Sequence, residues 1–411
     1  MKTLNTIVMA LLMCGAFLCS CRDKSGTSSG DEDSFIVDPA LELRIRVAIN
    51  KPTGALTDAD VDTITTLDAS NREILTLEGI EHLRALRLLD LSMNRLADLS
   101  PLASLTALEF LGLYSNSIHD VTPLRPLRRL KTLLLGGNTL GELAPLAELD
   151  SLEQLELVAC QVSDLTALQS LTRLRMLDLA DNSLTSLAPL GGCAQLERLY
   201  LSGNLIGDLS PVAGCAELFL LEIDSNRVSE LTPLANLTAL MYLRARGNPL
   251  QSAQPLRNLT QLIDLDISGS LITDLSPLAE LGSLQSLSIA GLHQETLDAV
   301  AGMSNLELLD ASENGILSIA PLTNLSQLYY LALQGNRIAD LTPLAGLARM
   351  TRLYLGTGDE SGNLVADIFP LTLNSGLGYG DAVFLSGNPL SSQSIDLYIP
   401  ELLARGVSVY Y

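Results

Sequence analysis

Asparagine recurs at positions 94, 116, 138, 182, 204, 226, 248, 314 and 336, always at multiples of 22 residues, and Asn363 and Asn388 follow at spacings of 27 and 25. Around each stands the same frame, read in one copy as Leu86-Arg87-Leu88-Leu89-Asp90-Leu91-Ser92-Met93-Asn94-Arg95-Leu96-Ala97-Asp98-Leu99-Ser100-Pro101-Leu102. Fifteen copies run from a ladder position at Arg72 to one at Asn388, and eleven of the fifteen positions are Asn. Self-similarity at a fixed period marks a stacked array rather than separate globules, so the repeat overrides the two or three domains that 411 residues would otherwise suggest.

Each copy dictates its own local structure. Leu89 and Leu91 alternate with Leu88, Asp90 and Ser92, the period of a strand. A strand this short cannot bury its leucines alone, but copies stacked about 4.8 Å apart form a parallel sheet over one continuous core. Asn carries both a donor and an acceptor, so a buried Asn column can satisfy backbone groups where the chain leaves the strand. The Ser/Thr-Pro-Leu phrase that follows (Ser100-Pro101, Thr122-Pro123, Ser210-Pro211) suits a helix N-cap with Pro in the first turn. Too few residues remain before the next strand for α-helices, so short 3₁₀ turns are expected outside.

The pattern L-x-x-L-x-L-x-x-N-x-L-x-D-L-x-P-L resembles the leucine-rich repeat family, in the 22-residue class of internalin-like bacterial proteins, over roughly residues 36–411. The resemblance implies an α/β fold: a right-handed leucine-rich-repeat solenoid, with its parallel sheet on the concave face, mainly 3₁₀ turns on the convex face and a helical N-terminal cap. The expected divisions are a signal peptide at 1–20, a flexible tether at 21–35, a helical cap at 36–66, the repeats at 67–388 and a C-terminal cap at 389–411. In the first cap, Leu41, Ile45, Ala48 and Ile49 share an apolar helix face after Asp38-Pro39, and Thr57 to Asp60 starts a second short helix. Ser394 to Ala404 reads as a helix interrupted by Pro400, and Val407 to Tyr411 as a closing strand. The caps give the expectation that the chain is complete.

The ladder breaks at Cys160, Ser270 and Leu292. Cys and Ser can still hydrogen-bond weakly, whereas Leu292 cannot, and its copy also lacks the Pro and the acidic residue. A helical turn and a local irregularity are therefore expected across Gly291–Gly302, and a surface bulge at Gly356–Gly362. Cys193 and Cys215, 22 apart in a leucine column, are stacked core neighbours within reach of a disulfide, but buried free thiols are the expected state, because a small apolar Cys fits that column as it is. Cys160 has no partner at the right phase.

The N-terminus carries an address. Met1-Lys2 precedes an apolar run from Ile7 to Leu18, too short to span a bilayer and proportioned as a secretory signal. Leu18-Cys19-Ser20-Cys21 resembles the bacterial lipobox, which implies lipid on the Cys21 thiol. Residues 22–34 are small, polar and charged, a composition that cannot support a core.

Function is expected on the inward sheet face, whose side chains the core does not need. Its three columns hold seven of the sixteen aromatics. The candidate binding residues are Phe110, Tyr114, Arg198, Tyr200, Tyr242, Arg244, Arg246, Tyr330, Arg352 and Tyr354, since aromatics and Arg are what a contact surface concentrates. Glu222, Arg244 and Asp266 read as a cross-strand charge ladder. Asp68–Asp90 and Glu156–Asp178 are like-charged neighbours. They hint at a basic ligand or a cation, or are solvated repulsion that the sheet tolerates. A second acidic column (Asp98, Asp120, Glu142, Asp164, Asp208, Glu230, Asp274, Asp340, Asp367) precedes the outer turns and reads as capping rather than metal binding. A net charge of −22 argues against nucleic acid as partner. His82, His119 and His293 fall in different phases, and no nucleophile motif, phosphate loop or metal-ligand spacing occurs. No enzyme, cofactor or metal is therefore expected.

The leading expectation is a monomeric, lipid-anchored envelope protein of a diderm bacterium, in the outer membrane and displayed at the surface, holding a protein or peptide ligand in its curved face. The family resemblance implies adhesion or host contact, although the wall anchors of the Gram-positive relatives are lacking. The alternative is a scaffold or assembly factor with periplasmic partners.

Overall fold

A computed structural model describes residues 34–358 and 362–411; the signal peptide and Cys21 lie outside the described residues. Sixteen strands, β1 (Thr66–Asp68) to β16 (Ser408–Tyr410), form one parallel sheet in unbroken chain order. Register holds the repeat period: Leu67 pairs with Leu89, Leu89 with Leu111 and Leu221 with Leu243. Fifteen coils and the closing strand thus place like residues in columns. The leucines merge into one core in which Leu89, Leu111, Leu221 and Leu331 are wholly buried. At roughly 1.5–3 kcal/mol for each fully buried leucine side chain, these columns supply the main driving force for folding.

The Asn ladder joins the coils. Asn94 Oδ1 accepts from the Arg72 and Ile74 amides at 3.0 Å each, and its Nδ2 donates to the Ala69 and Leu91 carbonyls at 2.9 and 2.8 Å. Asn204 and Asn336 repeat the pattern. At the breaks the structure bears out the expectation for Cys160 and corrects it for Ser270. Cys160 directs its thiol to the Leu135 carbonyl at 3.3 Å, where an Asn amide would donate. Gln294, two residues after Leu292, sends its longer side chain back to the carbonyls of Ile272 and Leu292. Ser270 fails: its Oγ is buried with no partner among the described residues, because a serine is too short to reach the groups an Asn would meet.

The outer turns are 3₁₀, as at Ser100–Ser104 and Thr232–Leu234. The hydroxyl residue is not their cap. Ser100 is the first turn residue, and the amide of Ser100 donates to Asp98 Oδ1 at 2.8 Å. Asp120, Asp164, Asp208, Asp274 and Asp340 hold the second following residue in the same way. The turn expected across Gly291–Gly302 is a three-residue 3₁₀ turn, Asp298–Val300, like its neighbours. The expected bulge begins as strand: β14 runs Arg352–Thr357, with a register shift between Tyr354 and Gly356, and residues 359–361 lie outside the described residues.

Helix α1 (Pro39–Ala48) covers the first coil with Leu41 and Ile45. Asp38 locks it: Oδ1 accepts from the Ala40 amide and Oδ2 from the Leu75 amide of the first coil. Helix α2 (Asp58–Val61) carries a Thr57–Asp60 capping box, and Asp60 also binds Lys51, which holds its carboxyl down at about 2. After helix α3 (Phe369–Leu373), the far end has a π-turn at Ser394–Tyr398 leading into helix α4 (Ile399–Ala404). Pro400 therefore sits in the first turn of α4, where its missing amide proton costs nothing. Cys193 and Cys215 are buried free thiols, and the Cys215 thiol points to the Cys193 carbonyl.

Candidate binding surface on the parallel sheet

Strand alternation leaves two columns of side chains free on the sheet's inner surface, with a third where each strand ends. The ten candidate residues divide there by exposure. Tyr114 and Tyr242 are 42% and 37% exposed, and Arg244 and Arg246 are also exposed. Arg198, Tyr200, Tyr330, Arg352 and Tyr354 are half-buried by their neighbours, whereas Phe110 is 6% exposed and offers little surface. Arg244 sits opposite both Glu222 and Asp266, yet its ion pair is diagonal, to Asp264 at 3.6 Å. Asp266 instead accepts from the Ser268 amide. Arg198 Nε is buried and has no hydrogen-bond partner among the described residues.

At the C-terminal end the candidates join a longer feature. Tyr330, Tyr354, Phe384 and Tyr410 form a ladder from β13 (Tyr330–Ala332) to β16, with ring centroids 5.3, 4.5 and 4.6 Å apart. The last two contacts are parallel stacks, within 7°. Arg352 flanks it, donating to the Gly380 carbonyl. Tyr410 was legible only as part of a closing strand, although it lies in the phase of Tyr354 and Phe384.

One part of the surface, in its N-terminal half, is acidic. Glu156 and Asp178 face each other in register on β5 (Gln154–Glu156) and β6 (Met176–Asp178). Burial, then the Asp178 charge, pushes the Glu156 carboxyl up to about 7, and burial also raises Asp178. Glu156 leans over Gly136, where an added Cβ would lie 2.8 Å from its Oε1 and 3.0 Å from Tyr114 Cδ2. The side-chain-free position lets both neighbours fold inward.

One column escaped the sequence reading: the residues immediately before each strand. Backbone bonds stack them, as from the Met241 amide to the Phe219 carbonyl and from the Ile263 amide to the Met241 carbonyl. The column begins as alternating charges, with Glu109 bridging Arg87 and Lys131, and Glu197 bridging Arg175. It then turns apolar at Phe219, Met241 and Ile263, all half-buried beside exposed Tyr242. The signal was present as the same 22-residue spacing one position earlier.

Elsewhere chemistry is sparse. Two shallow hollows on the outer turns, lined by Asp120 and Glu142 and by Asp208 and Glu230, repeat the same coil geometry. Among the described residues no group of His, Cys, Asp and Glu could hold a metal ion, and no helix is long and apolar enough to cross a membrane.

An open repeat solenoid presenting a free parallel sheet is the class of protein these features define. Residues 84–126 and 172–214 match the family described as leucine-rich repeats (2 copies). Among solved structures, an internalin (InlF) of Listeria monocytogenes is 29% identical with a TM-score of 0.75, over 77% of this chain and 94% of that one. Internalin C2 of the same organism is 36% identical with a TM-score of 0.50, over 51% of this chain and 94% of its own. A leucine-rich-repeat protein of Leptospira interrogans shares the fold at 24% identity and a TM-score of 0.73, over 81% of this chain and 86% of that one. No curated protein matched by sequence. The chain belongs to the leucine-rich-repeat family, in its internalin-like class.

Proposed function

We propose that this is a non-enzymatic, monomeric binding protein of the bacterial cell envelope. Its curved sheet captures a protein or peptide ligand, in adhesion or host contact. The observation that carries the reading is the composition of the free surface. Side chains with no role in the core include exposed Tyr114, Tyr242, Arg244 and Arg246 and a four-ring aromatic ladder. Large, stiff aromatics and Arg bring contact area at low entropic cost, which is why they dominate binding hot spots.

Residues 1–20 act as the signal, Cys21 takes the lipid and residues 21–35 hold the body off the membrane. This part rests on the Leu18-Cys19-Ser20-Cys21 motif. Palmitate labelling of the native cell is expected to mark the wild type and not Cys21→Ser. Protease shaving of intact cells separates the readings: loss of the protein supports display outside, and survival supports a periplasmic scaffold. For the surface itself, ligand capture by wild type is compared with capture by Tyr242→Ala/Arg244→Ala. Loss of at least tenfold in affinity is expected. Undiminished capture of every ligand removes this patch from the site.

A further inference from the structure

Two columns of this molecule treat charge in opposite ways. Just before the strands, opposite charges alternate at the 22-residue spacing and close into bridges, as in Arg175 with Glu197. On the sheet's inner surface, Glu156 and Asp178 place like charges side by side in register. Like charges directly opposite on neighbouring strands destabilise a sheet. Glu156 is half-buried, and its carboxylate has no hydrogen bond or ion pair among the described residues. Burial holds its proton on until about pH 7, so the fold bears an uncompensated cost there. Among the described residues the Asp178 carboxylate accepts only from the Ala180 amide.

An apolar strip lies close by. Phe219, Met241 and Ile263 lead into β8 (Leu220–Glu222), β9 (Tyr242–Arg244) and β10 (Asp264–Asp266), where the alternating charges of their column stop. From β6 to β9 is three strand spacings, about 14 Å. A surface with an apolar strip beside a carboxylate pair that no cation bridges among the described residues, on a chain of net charge −22, is complementary to a partner that presents cations next to apolar side chains.

We propose that the concave surface docks a basic, amphipathic segment of a partner protein, with lysine or arginine side chains against Glu156 and Asp178 and apolar side chains against Phe219, Met241 and Ile263. This rests on the reading of the curved sheet as the binding surface, and it names the partner's chemistry.

The test uses the full-length chain and two labelled amphipathic peptides with identical leucine and tyrosine positions, one with lysine and one with glutamate at every polar position, read by fluorescence anisotropy. The lysine peptide is expected to bind and the glutamate peptide not to bind. Glu156→Gln/Asp178→Asn, which keeps side-chain shape, is expected to weaken the lysine peptide about tenfold, and Phe219→Ser/Met241→Ser by a similar factor. Glu142→Gln/Glu230→Gln removes the same charge beside the outer turns and is expected to change affinity less than twofold. Equal losses from the inner and outer carboxylate pairs would mean that binding follows net charge alone, and would overturn the proposal. So would equal binding of the glutamate peptide, or self-association of the chain that the inner pair abolishes. If Tyr242→Ala/Arg244→Ala still destroys ligand capture while Glu156→Gln/Asp178→Asn leaves it intact, the charge inference fails and the binding surface stands. If neither pair matters, both fail.

Discussion

Single residues in this fold act through columns, so their effects depend on what stands 22 positions away. Asn204 holds the Leu184 amide and the Leu179 and Leu201 carbonyls, all buried. Asn204→Ala strands these groups and is expected to cost about 2–4 kcal/mol in denaturant unfolding. Ser270→Asn should act in the opposite sense, adding about 1 kcal/mol, because the present Oγ is buried with no partner among the described residues. Glu156 makes a pH-dependent case. Its carboxyl is raised from 4.5 to about 7 in the fold, so the folded state binds protons more tightly than the unfolded chain. Its favourable contribution is complete below about pH 4.5 and is lost as pH rises toward 7. Glu156→Gln is therefore expected to stabilise the protein at pH 8 by about 1–3 kcal/mol, discounted for partial solvent access, and to change nothing near pH 4. Thermal melts at the two pH values check this. The Asn ladder was legible because a repeated polar residue in a leucine frame has few other uses. The Gln294 substitution was not, since it depends on a longer side chain reaching backward from a neighbouring position.

Elements here are nearly identical units, and what distinguishes them is how their ends are closed. Helix α1 depends on Asp38, which caps the helix and also binds the Leu75 amide of the first coil. Asp38→Ala should cost about 1–3 kcal/mol and accelerate hydrogen exchange at the amides from Leu67 to Ala69, with little effect at β8. Equal acceleration in both places would contradict a local role. Strands and outer turns were legible from periodicity, and so was the absence of room for helices outside. The capping of those turns was read only in part. In the sequence both the acidic column and the hydroxyl residue read as caps. Hydrogen-bond geometry settles the division: Asp98 accepts, and Ser100 is already the first residue of its turn. A similar limit applies to the apolar run Phe219, Met241 and Ile263. Its spacing was visible, but only the stacked backbone shows that the column lies beside the free sheet surface.

Across the whole molecule, sixteen strands in unbroken order convert a linear repeat into one broad surface. Like residues meet because the register never slips before β14, so inner-surface chemistry is a readable list of every twenty-second residue. That explains why the candidate residues could be named in advance, and why their degree of exposure could not: shielding of Phe110 and exposure of Tyr242 depend on the size of side chains in adjoining coils. The central claim is that this inner surface receives the partner. Hydroxyl-radical footprinting of the bound complex reads it directly, because Met176, Tyr200, Met241 and Tyr242 are oxidisable reporters within it. Reduced oxidation at these four, with His119 on the outer turns unchanged, is the expected result. Protection of His119 with all four left reactive would contradict the account.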